Sequence, residues 1–182
     1  MGWYDAVQYA GCTPDERVAP HPADAHSGPL AMRFVRAIDV DAEAPVVFRW
    51  LCQLTVAPYS YDLLDNLGRR SPRALTPGAD DLAVGQRFLI GRIVDVVPGA
   101  SITSVSTPGA SAVFGRIALS YAVTPGVEAR SRIVACMTVE ARSWAGRLKR
   151  RLLGAGDLVM MSKQLRTLKA CAEAAGTGSS TA

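Results

Sequence analysis

One stretch near the C-terminus constrains this chain most. Leu158, Met161, Leu165, Leu168 and Ala172 fall on one side of a helical wheel, opposite Lys163, Arg166, Lys169 and Glu173. That spacing belongs to a helix that must bury a broad apolar face. Asp157 stands where an N-cap would be placed, its carboxylate suited to the open backbone N–H groups of a first turn. No other amphipathic pattern in the chain is as long, so this helix is the natural cover for whatever sheet the rest forms.

A sheet is expected. Ile117, Leu119, Tyr121 and Val123 alternate with Arg116, Ala118, Ser120 and Ala122, the period of a strand with one face buried. Met32 to Val40, Arg87 to Val97, Ile102 to Thr107 and Arg130 to Glu140 read as further strands, with turns at 77–81 and 124–126. A helix opens at Ala44-Pro45, where proline at the first helical position costs nothing, and runs through Leu54 with Val47, Leu51 and Leu54 at helical spacing beside Trp50. A second, short helix is predicted from Tyr61 to Leu67, closed by Gly68 and barred from continuing by Pro72. Trp144, Leu148 and Leu152 form another stripe, which Gly154-Ala155-Gly156 is expected to separate from the terminal helix. An antiparallel sheet needs one face covered. The order therefore predicts an α+β fold: a curved antiparallel sheet wrapped on the long C-terminal helix, two short helices closing one end, and a cavity between them.

The 182 residues suffice for one substantial core. Residues 1–30 carry Pro14, Pro20, Pro22 and Pro29 without periodicity and read as a partly flexible extension; 31–175 form the domain and 176–182 a flexible tail. Apolar content of 49% with 20% charge is that of a globular chain, and no run of 18 apolar residues occurs. The first residues lack a secretory pattern. Cys12, Cys52, Cys136 and Cys171 lie far apart, which reads as unlinked, mostly buried thiols in a reducing cytoplasm.

The net charge of +4 is unevenly spread: residues 142 to 169 hold eight basic side chains against Asp157 alone. Such a run is a solvated helix face, an anionic-ligand site or, over residues 142–153, a weak contact with an anionic surface. Nucleic acid is not expected, since only Trp144 is interleaved and no recognition motif accompanies it. His21 and His26 are the only histidines and both precede the domain. That excludes a histidine triad, a histidine zinc site or a Rieske ligand set from the body. The stretch Gly109 to Gly115 lacks the lysine and helix context of a phosphate loop. No metal and no cofactor are expected.

Chemistry then falls to carboxylates, tyrosines and arginines, and these concentrate between Ala57 and Pro72. Tyr59 and Tyr61 each join an apolar ring to one hydroxyl, suited to an oxygenated apolar guest. Asp62 and Asp65, at i and i+3, share a helix face and either raise one another's pKa toward acid–base use or pair with Arg69 and Arg70 to pin the segment. Asn66 caps backbone groups or touches ligand. Arg92 interrupts an apolar strand on the parity of Phe88, Ile90, Val94 and Val96, so it either enters the cavity to hold a carboxylate or enolate, or faces water. Tyr121 lies on the inward parity of its strand. Trp50, Phe88, Met161 and Leu165 complete the expected lining.

The element order, with the segments Ala57 to Pro72, Val84-Gly85-Gln86-Arg87-Phe88 and Gly156 to Leu165, resembles the SRPBCC or polyketide cyclase/dehydrase-like proteins of the Bet v 1-like (START-like) superfamily over residues 32 to 174. The resemblance implies a helix-grip fold and a hydrophobic small-molecule partner, in a monomer or homodimer. It is consistent with either a cofactor-independent cyclase or dehydratase acting on a polyketide-like molecule, for which the residues themselves offer Tyr59, Tyr61, Asp62, Asp65 or Arg92 to move protons, or a non-catalytic carrier of a lipid or other apolar metabolite. Fold alone does not choose between them.

Overall fold

Among the described residues the period-two segments, joined by Tyr9–Ala10, form one seven-stranded sheet. Its strands are β1 (Tyr9–Ala10), β2 (Met32–Val40), β3 (Arg87–Phe88), β4 (Gly91–Val97), β5 (Ser101–Ser106), β6 (Ile117–Pro125) and β7 (Ser131–Val139), in the order β1-β2-β7-β6-β5-β4-β3. Neighbours are antiparallel, except that β1 runs parallel to β2. Four α-helices accompany the sheet among the described residues: α1 (Pro14–Val18), α2 (Ala44–Cys52), α3 (Pro108–Phe114) and α4 (Trp144–Gly178). The computed structural model describes residues 8–59, 70–140 and 144–178, the side chains of 144–158 and 177–178 excepted. The short helix expected at Tyr61 to Leu67 lies outside the described residues.

Alternation sorts the sheet into two faces. Inward point Phe34, Ile102, Leu119, Tyr121, Ile133, Ala135 and Met137, packed with Val47, Trp50 and Leu51 of α2 and with Met161, Leu165, Leu168 and Ala172 of α4. From Met161 onward the terminal stripe thus meets the sheet as its spacing requires; the Leu158 side chain lies outside the described residues. Lys169 Nζ donates to Asp39 O at 2.7 Å, and Glu173 accepts from the Asp41 amide at 2.9 Å, fixing the far half of α4 to the end of β2.

The outward face carries a smaller cluster of Val35, Ala37, Ala118, Val134 and Cys136, and Ala23 closes over it. Residues 8–30, aperiodic in sequence, supply this cover through β1, α1 and a 3-10 turn at Pro22–His26. Thr13 and Glu16 form a capping box at α1. Arg132 of β7 then clasps the segment, donating to Glu16 Oε1 and Oε2 at 2.5 and 2.8 Å, to Gly11 O at 2.8 Å and to Asp39 at 2.7 Å. Arg33 adds bonds to Asp24 and to the Ala19 carbonyl, both at 3.1 Å.

Three local expectations are corrected. First, α4 runs unbroken for 35 residues through Gly154-Ala155-Gly156, so Asp157 lies in its interior and not at an N-terminus. An interior glycine costs only about 1 kcal/mol relative to alanine, too little to outweigh the hydrogen bonds of a continuous helix. Second, residues 108–114 are helical: Thr107 Oγ1 accepts from the Ala110 amide at 3.4 Å and Pro108 takes the first turn. Its small residues left no apolar period to read. Third, the single strand expected from Arg87 to Val97 is a hairpin, turning at Leu89–Ile90 with Leu89 at φ 51, followed by a bulge between Ile93 and Asp95.

Candidate functional site

The hairpin decides the fate of Arg92. Phe88 pairs across the turn with Gly91, and Arg87 with Arg92; directly opposed residues point the same way. Phe88 is therefore inward and fully buried, while Arg92 is outward, exposed and bonded to the Gly85 carbonyl at 2.7 Å. The expectation that Arg92 shares the face of Phe88 is corrected: two turn residues reset the parity. The later bulge resets it again, which returns Val96 to the core.

The other described candidates converge on the inner face. Tyr121, on β6 between Ile102 and Ala135, is fully buried and meets the Phe88 ring edge-on at 6.0 Å. Its hydroxyl bonds to Gln164 Oε1, and Gln164 Nε2 donates to Pro58 O at 2.5 Å. This thread joins the sheet, α4 and the start of the 58–72 segment. Tyr59 is buried against Trp50, ring to ring at 6.3 Å, with its hydroxyl 3.5 Å from Gln53 Oε1. Its backbone is left-handed, φ 54, a conformation that costs a non-glycine residue on the order of 1 kcal/mol. The Tyr59 amide donates to Ser71 Oγ at 3.3 Å, so the two flanks of residues 60–69 meet at this wall. Tyr61, Asp62, Asp65, Asn66 and Arg69, and the pairing expected between those carboxylates and Arg69 or Arg70, lie outside the described residues; Arg70 is exposed.

Trp50, Met161 and Leu165 are buried in the same core. Among the described residues, Trp50 Nε1 is a buried donor with no hydrogen-bond partner. Orphan donors of this kind are rare in folded interiors and call for an acceptor. No buried Asp, Glu or His occurs among the described residues. Burial raises the Cys52 and Cys136 thiols to about 12, which keeps both protonated and poor as nucleophiles. The described part of the site is thus an apolar wall set with tyrosine, glutamine and indole groups.

Sequence reasoning passed over three polar residues here. Arg36 is buried on the inward parity of β2, stacked over Phe34 at 5.8 Å and donating to Gln8 O at 2.7 Å. It interrupts an apolar alternation, the signal that drew attention to Arg92. Gln164 sits three residues after Met161 and four before Leu168, on the buried stripe itself. Gln53 follows α2 directly and accepts from the Thr76 amide at 3.2 Å.

No family model matches this chain, and no curated protein matches it. Solved structures do resemble it. A protein of Mesorhizobium loti, 12% identical, superposes at TM-score 0.51 over 77% of this chain and 96% of its own. One of Nitrosomonas europaea, also 12% identical, reaches 0.51 over 86% and 99%. The di-domain aromatase/cyclase StfQ of the steffimycin biosynthetic pathway, 17% identical, reaches 0.50 over 81% of this chain and 52% of its own. With a curved, mostly antiparallel sheet closed on α4, the chain has the Bet v 1-like helix-grip fold.

Proposed function

We propose that the protein holds an apolar, oxygen-bearing small molecule between the inner face of the sheet and the helices α2 and α4. The observation that carries this is the Trp50 indole N–H, a buried donor with no acceptor among the described residues, set beside Tyr59 in an apolar wall. A carbonyl or hydroxyl oxygen of a guest would satisfy it. The test is binding of apolar guests, followed first by mass spectrometry of molecules that co-purify and then by titration of the delipidated protein. Trp50→Phe keeps the ring volume close while removing the donor and should weaken binding of a carbonyl-bearing guest about five- to tenfold, the worth of one hydrogen bond. Equal affinity in both proteins would remove the reading.

A second reading is a cofactor-independent cyclase or dehydratase on a polyketide-like substrate. The bond from Tyr59 to Ser71 favours it, because it holds the two flanks of residues 60–69 at this wall; the likeness to StfQ agrees with it. Asp62 and Asp65 would then exchange protons with an enolisable carbon while the wall excludes water. On this reading Asp62→Asn and Asp65→Asn bind the guest but lose turnover. If binding persists and no candidate substrate turns over in the unaltered protein, carriage is what remains. The protein would act in the cytoplasm, as a monomer or homodimer, where its cysteines stay thiols.

A further inference from the structure

One end of the sheet gathers features that the small-molecule reading does not use. Register places the start of β4 beside the end of β5 (Gly91 with Ser106), and Ile117 of β6 and Met32 of β2 beside Val139 of β7. The Leu89–Ile90 turn, α3 and the exit of β7 therefore share this end. The Thr107 amide donates to the Ile90 carbonyl at 3.3 Å, joining α3 to the hairpin. Beyond α3, a Cβ built on Gly115 would stand 2.2 Å from Glu140 O, so the chain passes hard against the exit of β7.

Large apolar groups are left in solvent here: Ile90 is 46% exposed, Val113 54% and Phe114 38%. Beside them Arg87 and Arg92 stand directly opposite one another on the hairpin, both exposed. Like charges so placed repel, and neither has an ion-pair partner among the described residues. The acid at this end, Glu140, is already engaged by the Gly28 amide at 2.7 Å and by Arg116 at 4.0 Å.

We propose that this end docks on a lipid bilayer containing anionic headgroups. Ile90, Val113 and Phe114 enter the headgroup region, and Arg87 and Arg92 meet lipid phosphates. Lipid fits better than nucleic acid because apolar groups and cations occur together, and stable peripheral binding needs both signals. A polyphosphate chain would use the cations and leave the apolar groups without a role. The docking does not depend on the small-molecule reading.

Flotation of the full chain with vesicles tests this, using phosphatidylcholine alone or mixed with phosphatidylglycerol. The protein should float with the mixed vesicles, less so as salt is raised, and scarcely with phosphatidylcholine alone. Reversing Arg87 and Arg92 to Glu together should cut partitioning by at least about tenfold, since each cation near an anionic surface is worth about fivefold. Ile90→Ser with Phe114→Ser should cut it several-fold, and Val113→Ser alone, the milder change, by a smaller factor. Val127→Ser, at a 78% exposed position in the turn at the opposite end, should leave it unchanged. Circular dichroism confirms folding of each variant, and the salt dependence needs no variant at all. No flotation of the unaltered protein, or loss with Val127→Ser equal to the others, overturns the proposal. So does binding that survives every apolar substitution while duplex DNA binds with the same salt dependence.

Discussion

The two faces of the sheet are held by different physics. The inner face is a continuous apolar core between sheet, α2 and α4, interrupted by a few polar threads. The outer face has a small cluster of mostly short side chains, and its cover, residues 8–30, is kept in place chiefly by arginine clasps and capping bonds. Apolar burial is non-directional and sums over area. Clasps depend on a few geometries and on charge. The inner layer should therefore fail all at once, and the outer cover should peel separately.

The largest effect belongs to the inner face. Phe88→Ala removes a fully buried ring that packs on Tyr121 and should cost about 3–5 kcal/mol in urea unfolding; a loss below about 1 kcal/mol would break the contrast. Next, Arg132→Ala deprives Glu16, Asp39 and the Gly11 carbonyl of their donor. It should cost about 1.5–3 kcal/mol, with amide exchange accelerating across residues 8–30 before β6 and β7. Acid should open the same cover. The hydrogen bond from Arg132 holds the Glu16 carboxyl below its ordinary range against the opposing effect of burial. A depressed carboxylate contributes stability above its unfolded value and loses it as pH falls through the folded one. Exchange in 8–30 should thus rise first on acidification, and Glu16→Gln should flatten that dependence; simultaneous opening of both faces would refute a separate outer layer.

Smaller effects sharpen the picture within the inner face. Tyr121→Phe takes the donor from Gln164 Oε1 and should cost about 1–2 kcal/mol, read as a lowered melting temperature. Gly154→Ala and Gly156→Ala should each raise stability by up to about 1 kcal/mol, because both lie inside a continuous helix. A fall with either would restore a hinge at that point.

Much of the inner face was legible because its elements are long and strictly periodic: the alternation from Ile117 to Val123 is β6, and the stripe from Met161 to Ala172 is the buried side of α4. Arg92 was misread because Leu89-Ile90 turns the chain without the glycine, asparagine or proline that marks most turns. Arg36 and Gln164 stood in plain view on buried positions. They escaped notice because a polar residue on an apolar parity is meaningful only once the face is known. The outer cover left no periodic trace at all: a buried Ala23, a capping box and a distant arginine are tertiary facts, and the last joins residues 16 and 132.

The parallel pairing of β1 with β2 has a consequence for how the protein is made. On a ribosome β1 and β2 emerge early, yet β2 takes its long antiparallel partner from β7, Phe34 opposite Met137, roughly a hundred residues later. Closing so long a loop is slow. Until then the inner side of β2, with Met32, Phe34, Ile38 and Val40, has no sheet to join, and α4 comes later still. β2 is thus completed only after β3 to β6 have emerged, and until then it displays a sticky edge, the condition in which holding chaperones matter most.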